Sequence, residues 1–130
     1  MAVTVEVRND KGLVLLCSGV LTGKELIDVK RSLVTEQNKN LRYIITDLTH
    51  VHEFQIPMDA IRKMVAENKR LAAIAEPGVL VAIAAPQQLG FGLARMWEAY
   101  AHHETGWRTS VFHSRADADL WIQQHLKLAK

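Results

Sequence analysis

The side chains best suited to chemistry crowd one stretch of the chain, Asp47-Leu48-Thr49-His50-Val51-His52-Glu53-Phe54-Gln55-Ile56. His50 and His52 stand two apart, and in a strand-like segment residues i and i+2 point the same way. Both rings could then ligate zinc with a nearby carboxylate, Asp47 or Glu53, as third ligand. Such spacing without a firm third ligand arises often by chance, and solvated loop histidines explain it more simply, so no metal ligand is assigned. Asp47 closes an apolar run and is an acid/base candidate, although an Asp in that place commonly caps the following turn. Phe54 and Ile56 are apolar residues in a polar connection; they either cover the core or face a partner.

A second group is Pro86-Gln87-Gln88-Leu89-Gly90-Phe91-Gly92. It follows the most apolar run and opens a helical pattern, so its amides could hold an anion while Gly90 and Gly92 allow close approach. The spacing fits neither a P-loop nor a dinucleotide fingerprint, and an ordinary strand-to-helix turn is the simpler account. Cys17 lies within an apolar run with no His, Lys or helix start beside it to activate the thiol; it reads as a small core residue. His102-His103 are neighbours facing different ways, placed to favour a helix C-terminus rather than to share a metal. No catalytic residue, metal or cofactor is assigned.

Elements that would position these groups follow from periodicity. Val3, Val5 and Val7 alternate with polar residues, Asn9-Asp10-Lys11-Gly12 is turn chemistry with Gly12 free to take a positive φ, and Leu13 to Ser18 is a doubly covered strand. Thr22 and Glu25 have capping-box spacing, opening a helix with Leu26, Val29 or Lys30, Leu33 and Val34 near one face through about Gln37. Leu41 to Asp47 is a strand, and Thr49–Pro57 is the longest irregular connection. A helix runs from about Met58 to the stop Glu76-Pro77-Gly78, and Val79 to Ala85 is a central strand. Leu89, Leu93, Met96, Trp97 and Tyr100 form a helical stripe ended by Thr105-Gly106. Arg108 to His113 is a last strand, and Ser114 caps a helix carrying Ala118, Trp121, Ile122 and His125, with Lys127 and Lys130 near its end. The order β-β-α-β-α-β-α-β-α predicts a small α/β domain, two-layer or sandwich-like. Its mixed, mostly parallel sheet has about five strands, with an initial hairpin and four helices.

Composition narrows the function. The chain has 130 residues, 16 Lys+Arg against 14 Asp+Glu, one Cys and 48% hydrophobic content. One domain spanning residues 1–130 is expected at this length. A lone Cys excludes an internal disulfide, and interspersed charges with a net of +2 offer no basic stripe for nucleic acid. The apolar stretch from Pro77 to Phe91 is interrupted by Pro86-Gln87-Gln88, so no membrane span is expected, and a cytoplasmic location is.

Several of these segments, taken in order, resemble a known family. Gly19-Val20-Leu21-Thr22 enters the first helix, Asp47-Leu48-Thr49 and Val51 follow the strand, Ala94-Arg95-Met96-Trp97-Glu98-Ala99 lies in the third helix, and Val111-Phe112, Ala118 and Trp121-Ile122 close the chain. Together they resemble the SpoIIAA-like, STAS/SEC14-type proteins, relatives of bacterial anti-sigma-factor antagonists. The resemblance implies a mixed sheet flanked by helices, no cofactor, and work done by binding. In the phospho-regulated antagonists an Asp-Ser-Ser-like turn opens the next helix; here Gln55, Ile56 and Pro57 stand there, and no phospho-acceptor is assigned.

The expected function is therefore a non-enzymatic binding or regulatory module acting through protein contact, with a homodimer as one form. The alternative is a small carrier or enzyme holding an apolar or acidic ligand at the carboxyl ends of the strands, with Leu89, Phe91, Trp97 and Phe54 lining a pocket. Ligands of open α/β sheets sit at that end. The expected contact residues are Asp47, His50, His52, Glu53, Phe54, Gln87, Gly90 and Gly92.

Overall fold

The alternating valines form β1 (Val3–Val7), and after the turn the chain returns antiparallel as β2 (Gly12–Thr22). Only Val3 is fully buried; Val5 and Val7 emerge on the open edge of the sheet, where alternation no longer faces a covering layer. The positive φ expected at Gly12 belongs to Lys11. Gly12 serves by its missing side chain, because a Cβ there would collide with the Tyr43 ring. That ring's hydroxyl donates to Asp10 at 2.6 Å and ties the turn to the next strand.

A computed structural model of the chain describes residues 2–128. After β2 come α1 (Gly23–Ser32), β3 (Tyr43–Gln55), α2 (Met58–Ile74), β4 (Leu80–Ala84), α3 (Gln88–Thr105), β5 (Arg108–Phe112) and α4 (Arg115–Leu128). The Thr22 hydroxyl accepts the Glu25 amide at 3.2 Å, as its spacing predicts. The Glu25 carboxylate does not complete a capping box; it accepts the Ala2 amide at 3.2 Å. Helix α1 stops before Gln37 because Asn38 donates to the Leu33 carbonyl at 2.7 Å, satisfying a group the helix end leaves free. Ser114 accepts the Asp117 amide at 3.1 Å and starts α4; Lys130 lies outside the described residues.

The sheet has the order β1-β2-β3-β4-β5, with β2 to β5 parallel. Strands that advance in one direction through right-handed crossovers place every crossover helix on one face. Accordingly α1, α2 and α3 cover one side with Leu13, Leu15, Ile44, Val81 and Ile83, and α4 covers the other with Val14, Ile45, Ala82 and Ala84. The doubly apolar runs in β2, β3 and β4 are thus buried on both sides. Among the described residues no helix is long and apolar enough to cross a membrane.

Candidate functional site: a buried lysine beneath a bulged ribbon

Thr49–Pro57 is not an irregular connection. Strand β3 runs on to Gln55, and β2 runs beside it to Thr22, so Gly19–Thr22 is strand as well. The sequence hides this because the register slips twice. Between Leu16 and Ser18 the partner strand advances from Asp47 to His50, and between Gly19 and Val20 it advances from Val51 to Glu53. Each slip is a bulge with one extra residue in β3. The inward residues Leu48, Val51 and Phe54 therefore recur every third position, a period that matches neither a strand nor a helix. Strand β4 pairs with β3 only as far as Asp47, so beyond that point β2 and β3 continue as a two-stranded ribbon.

At the base of the ribbon Asp47 is buried and fully answered. Arg115 reaches it at 3.2 Å while also holding Asp119 at 2.8 Å. The Thr49 amide donates to the Asp47 carboxylate at 3.0 Å, and the Thr49 hydroxyl donates to the same oxygen. Burial works against the charge, but the Thr49 hydrogen bonds and the Arg115 guanidinium outweigh it and hold the carboxyl below its usual range. Gln87 secures the bulged segment: its Nε2 donates to the carbonyls of Leu48 at 2.7 Å and Val51 at 2.6 Å. Phe54 then folds down onto Gly90, where a Cβ would lie 2.7 Å from the ring and 2.8 Å from the Gln87 Oε1. Gly90 is needed because the ribbon lies against the start of α3 at that point.

Beneath Phe54 and Ile56 is a cavity of about 50 Å³ between the sheet and the three helices. Leu48, Met64, Leu93 and Trp97 are among its walls, with Thr46 and Lys30 the polar residues in the lining. Lys30 occupies the inward stripe of α1 with Gly23 and Leu26 and is 5% exposed. None of the ion pairs among the described residues includes it. Its ammonium lies 4.8 Å from the centre of the Trp97 ring, a cation–π contact. Burial lowers the Lys30 pKa to about 8, and the nearby Cys17 thiol, itself pushed up to about 12 by burial, stays neutral at pH 7. The Trp97 Nε1 is buried with no acceptor.

The expected contact residues divide into three groups. Asp47, Gln87, Phe54 and Gly90 converge at the carboxyl end of the sheet, but Asp47 and the Gln87 Nε2 are bound to the protein's own groups, the Gln87 Oε1 is buried without a partner, and Phe54 and Gly90 pack together. His50, His52 and Glu53 lie exposed along the ribbon, where Glu53 accepts a hydrogen bond from Gln55; no three His, Cys, Asp or Glu residues converge as a metal set among the described residues. Gly92 has open space where a side chain would go. Of the four residues expected to line a pocket, Phe54 and Trp97 do so. Leu89 is 61% exposed, and Phe91 stacks on His113 with ring centres 4.1 Å apart. Lys30 is the residue that sequence reasoning passed over. The stripe Leu26, Lys30, Leu33 was the available signal, a charge standing where the pattern calls for an apolar group.

A solved structure of an uncharacterized protein from the DUF3478 family with a SpoIIAA-like fold, from Shewanella loihica PV-4, superposes on the chain with a TM-score of 0.57. The two share 18% sequence identity, covering 93% of this chain and 92% of the other. The fold is SpoIIAA-like. No family model and no curated protein matches the chain. The SpoIIAA-like architecture carries the hairpin, the parallel strands and the four helices expected from the segment order. At this identity the likeness concerns the fold alone, and the chemistry rests on the residues of this chain.

Proposed function

We propose that this SpoIIAA-like chain is a non-enzymatic, cytoplasmic binding module of one domain that holds a small apolar ligand in the cavity beneath Phe54. One observation carries the reading: an apolar recess lies at the carboxyl end of the parallel strands, where ligands of open α/β sheets sit, and close packing otherwise leaves few such voids. Its volume of about 50 Å³ corresponds to roughly four water-sized spheres, so the occupant is a compact molecule or the tip of a larger one. The test is a titration of the full chain with propanol, followed through the Trp97 indole and the Leu48 and Leu93 methyl resonances. Saturable shifts confined to that set are expected; shifts scattered over the surface, or none, would remove the reading.

A second reading, contact with a partner protein or a second copy, draws on the ribbon. Its β3 edge beyond Asp47 is unpaired with β4 and carries exposed His50, His52 and Glu53. Replacing His52 and Glu53 with Ala would then abolish association measured by ultracentrifugation; unchanged sedimentation of both forms as monomers would argue against a dimer through this edge.

A further inference from the structure

Five of the eight arginines pair with a carboxylate among the described residues: Arg8, Arg31, Arg70, Arg95 and Arg115. Arg62 lies 6.0 Å from the centre of the Tyr100 ring. The two that remain, Arg42 and Arg108, line one cleft of about 530 Å³ at the amino ends of the parallel strands, the end opposite the ribbon. The register brings them together. Leu80 of β4 pairs with Arg108 of β5 on one side, and on the other its amide donates to the Arg42 carbonyl at 3.0 Å. Adjacent strands lie about 4.8 Å apart, so the two Cα atoms stand roughly 10 Å apart with Leu80 between them. Arg108 projects with Leu80 toward α4, and the Arg42 guanidinium reaches the same side, where its Nη2 donates to the Leu126 carbonyl at 3.5 Å. A guanidinium has five N–H donors, so that bond leaves most of them free. His125 of α4 joins the lining; its Nδ1 is held 2.9 Å from the Trp121 carbonyl, and Nε2 is the ring nitrogen left over. Glu76 is the one acid of the lining. Gly78 and Gly106, both at positive φ, leave open space at the turns that border the cleft.

We propose that this cleft is a site for a phosphate monoester with a hydroxylated carbon chain, separate from the cavity beneath Phe54. Arg42 and Arg108 take the phosphoryl oxygens from two sides above Leu80, His125 adds a third hydrogen bond, and Glu76 accepts one from a hydroxyl of the ester. Guanidinium forks match phosphoryl oxygens in pairs, and a phosphate monoester carries a charge of about −1.5 to −2 at pH 7, which two cations answer better than one. A carboxylate offers two oxygens, which a single fork already occupies, so it leaves the second arginine idle. Glu76 opposes a bare anion, which favours a ligand that brings a neutral donor to that carboxylate. A volume of about 530 Å³ falls within the range of small-molecule sites, roughly 300–1,000 Å³, and holds a phosphate with a few carbons attached.

The test is calorimetric titration of the full chain at pH 7 and low salt with glycerol 3-phosphate, inorganic phosphate and glycerol. Saturable binding is expected for the ester, several-fold weaker binding for inorganic phosphate, and none for glycerol. Arg42→Gln and Arg108→Gln should each weaken the ester about tenfold, the loss of a charge-assisted pair, and together abolish its binding. Arg108 is exposed, so its replacement leaves the core untouched and reads the site on folded protein whatever Arg42→Gln does to the end of α4. Arg62→Gln removes an arginine that also lacks a carboxylate partner, from another surface, and should change nothing. Glu76→Gln should tighten inorganic phosphate and erase the preference for the ester. Absence of saturable binding by the ester, or an equal loss in Arg62→Gln, would overturn the site. A preference for the ester that persists in Glu76→Gln would overturn the role of Glu76 and with it the hydroxylated class of ligand.

Discussion

Two buried charges, one against α4 and the other on α1 across the sheet, meet opposite treatment. Asp47 on β3 is enclosed by its own Thr49 and by Arg115 at the start of α4, so burial still leaves it more acidic than usual. Lys30 on α1 has only an aromatic face and an apolar cavity, and burial makes it less basic. A charge that the protein answers in full holds elements together, while a charge given only an aromatic face costs stability.

The two cations should therefore respond to removal with opposite signs. Arg115→Met strands the Asp47 carboxylate and should cost about 3 kcal/mol, the lower end for breaking a buried pair because Arg115 is partly exposed. Denaturant unfolding measures it, and a loss below about 1 kcal/mol would end the contrast. Lys30→Met should instead stabilise. A pKa moved from 10.5 to about 8 corresponds to roughly 3 kcal/mol, and subtracting about 1 for the lost cation–π contact leaves a gain of about 2 kcal/mol at pH 7.

That gain also has a pH signature. Between pH 8 and 10.5 the unfolded chain holds a proton on Lys30 that the folded chain has released, so wild-type stability rises with pH through this window. Cys17 and Tyr43, both pushed up to about 12, act in the opposite direction as pH rises. The gap between Lys30→Met and wild type cancels those contributions and should fall by about 3 kcal/mol from pH 8 to 10.5, turning a gain of about 2 into a deficit of about 1. A gap independent of pH would mean that Lys30 is well solvated.

Gly90→Ala sharpens the contrast by opening the cavity. A Cβ placed 2.7 Å from Phe54 must displace the ring, at a cost of about 1.5 kcal/mol, and admit water to the ammonium. The Lys30 pKa, read from its side-chain NMR titration, should then rise from about 8 toward its ordinary value. Least disruptive is Thr22→Ala, which removes the N-cap of the helix carrying Lys30 and should cost about 1 kcal/mol in thermal or denaturant unfolding. It should leave the Asp47–Arg115 pair intact.

Much of the architecture was legible in the residue pattern because the signals are local. Continuous apolar runs at Leu13–Cys17 and Leu80–Ala84 mark strands covered on both faces, and Thr22, Ser114 and Gly106 mark helix ends through hydrogen bonds or a positive φ within a few residues. The ribbon was not legible. Two bulges convert a period of two into a spacing of three, and the carbonyls that Gln87 holds, Leu48 and Val51, are 39 and 36 positions away from it. The convergence of Asp47, Gln87, Phe54 and Gly90 followed from the rule about strand ends, but their partners did not. Whether a polar residue is free or bound depends on what the rest of the chain brings to it.

The amino-acid sequence by itself determined the order of the elements and the limits of most of them. These depend on periodicity and end signals, both properties of short segments. Tertiary structure alone decided that Asp47 is neutralised and Lys30 is not. Burial and pairing arise from groups far apart in the chain: Arg115 is 68 residues beyond Asp47, and the Trp97 ring that underlies Lys30 belongs to another helix. The cost of a charge is set by the medium around it, and that medium exists only once the sheet and helices have closed.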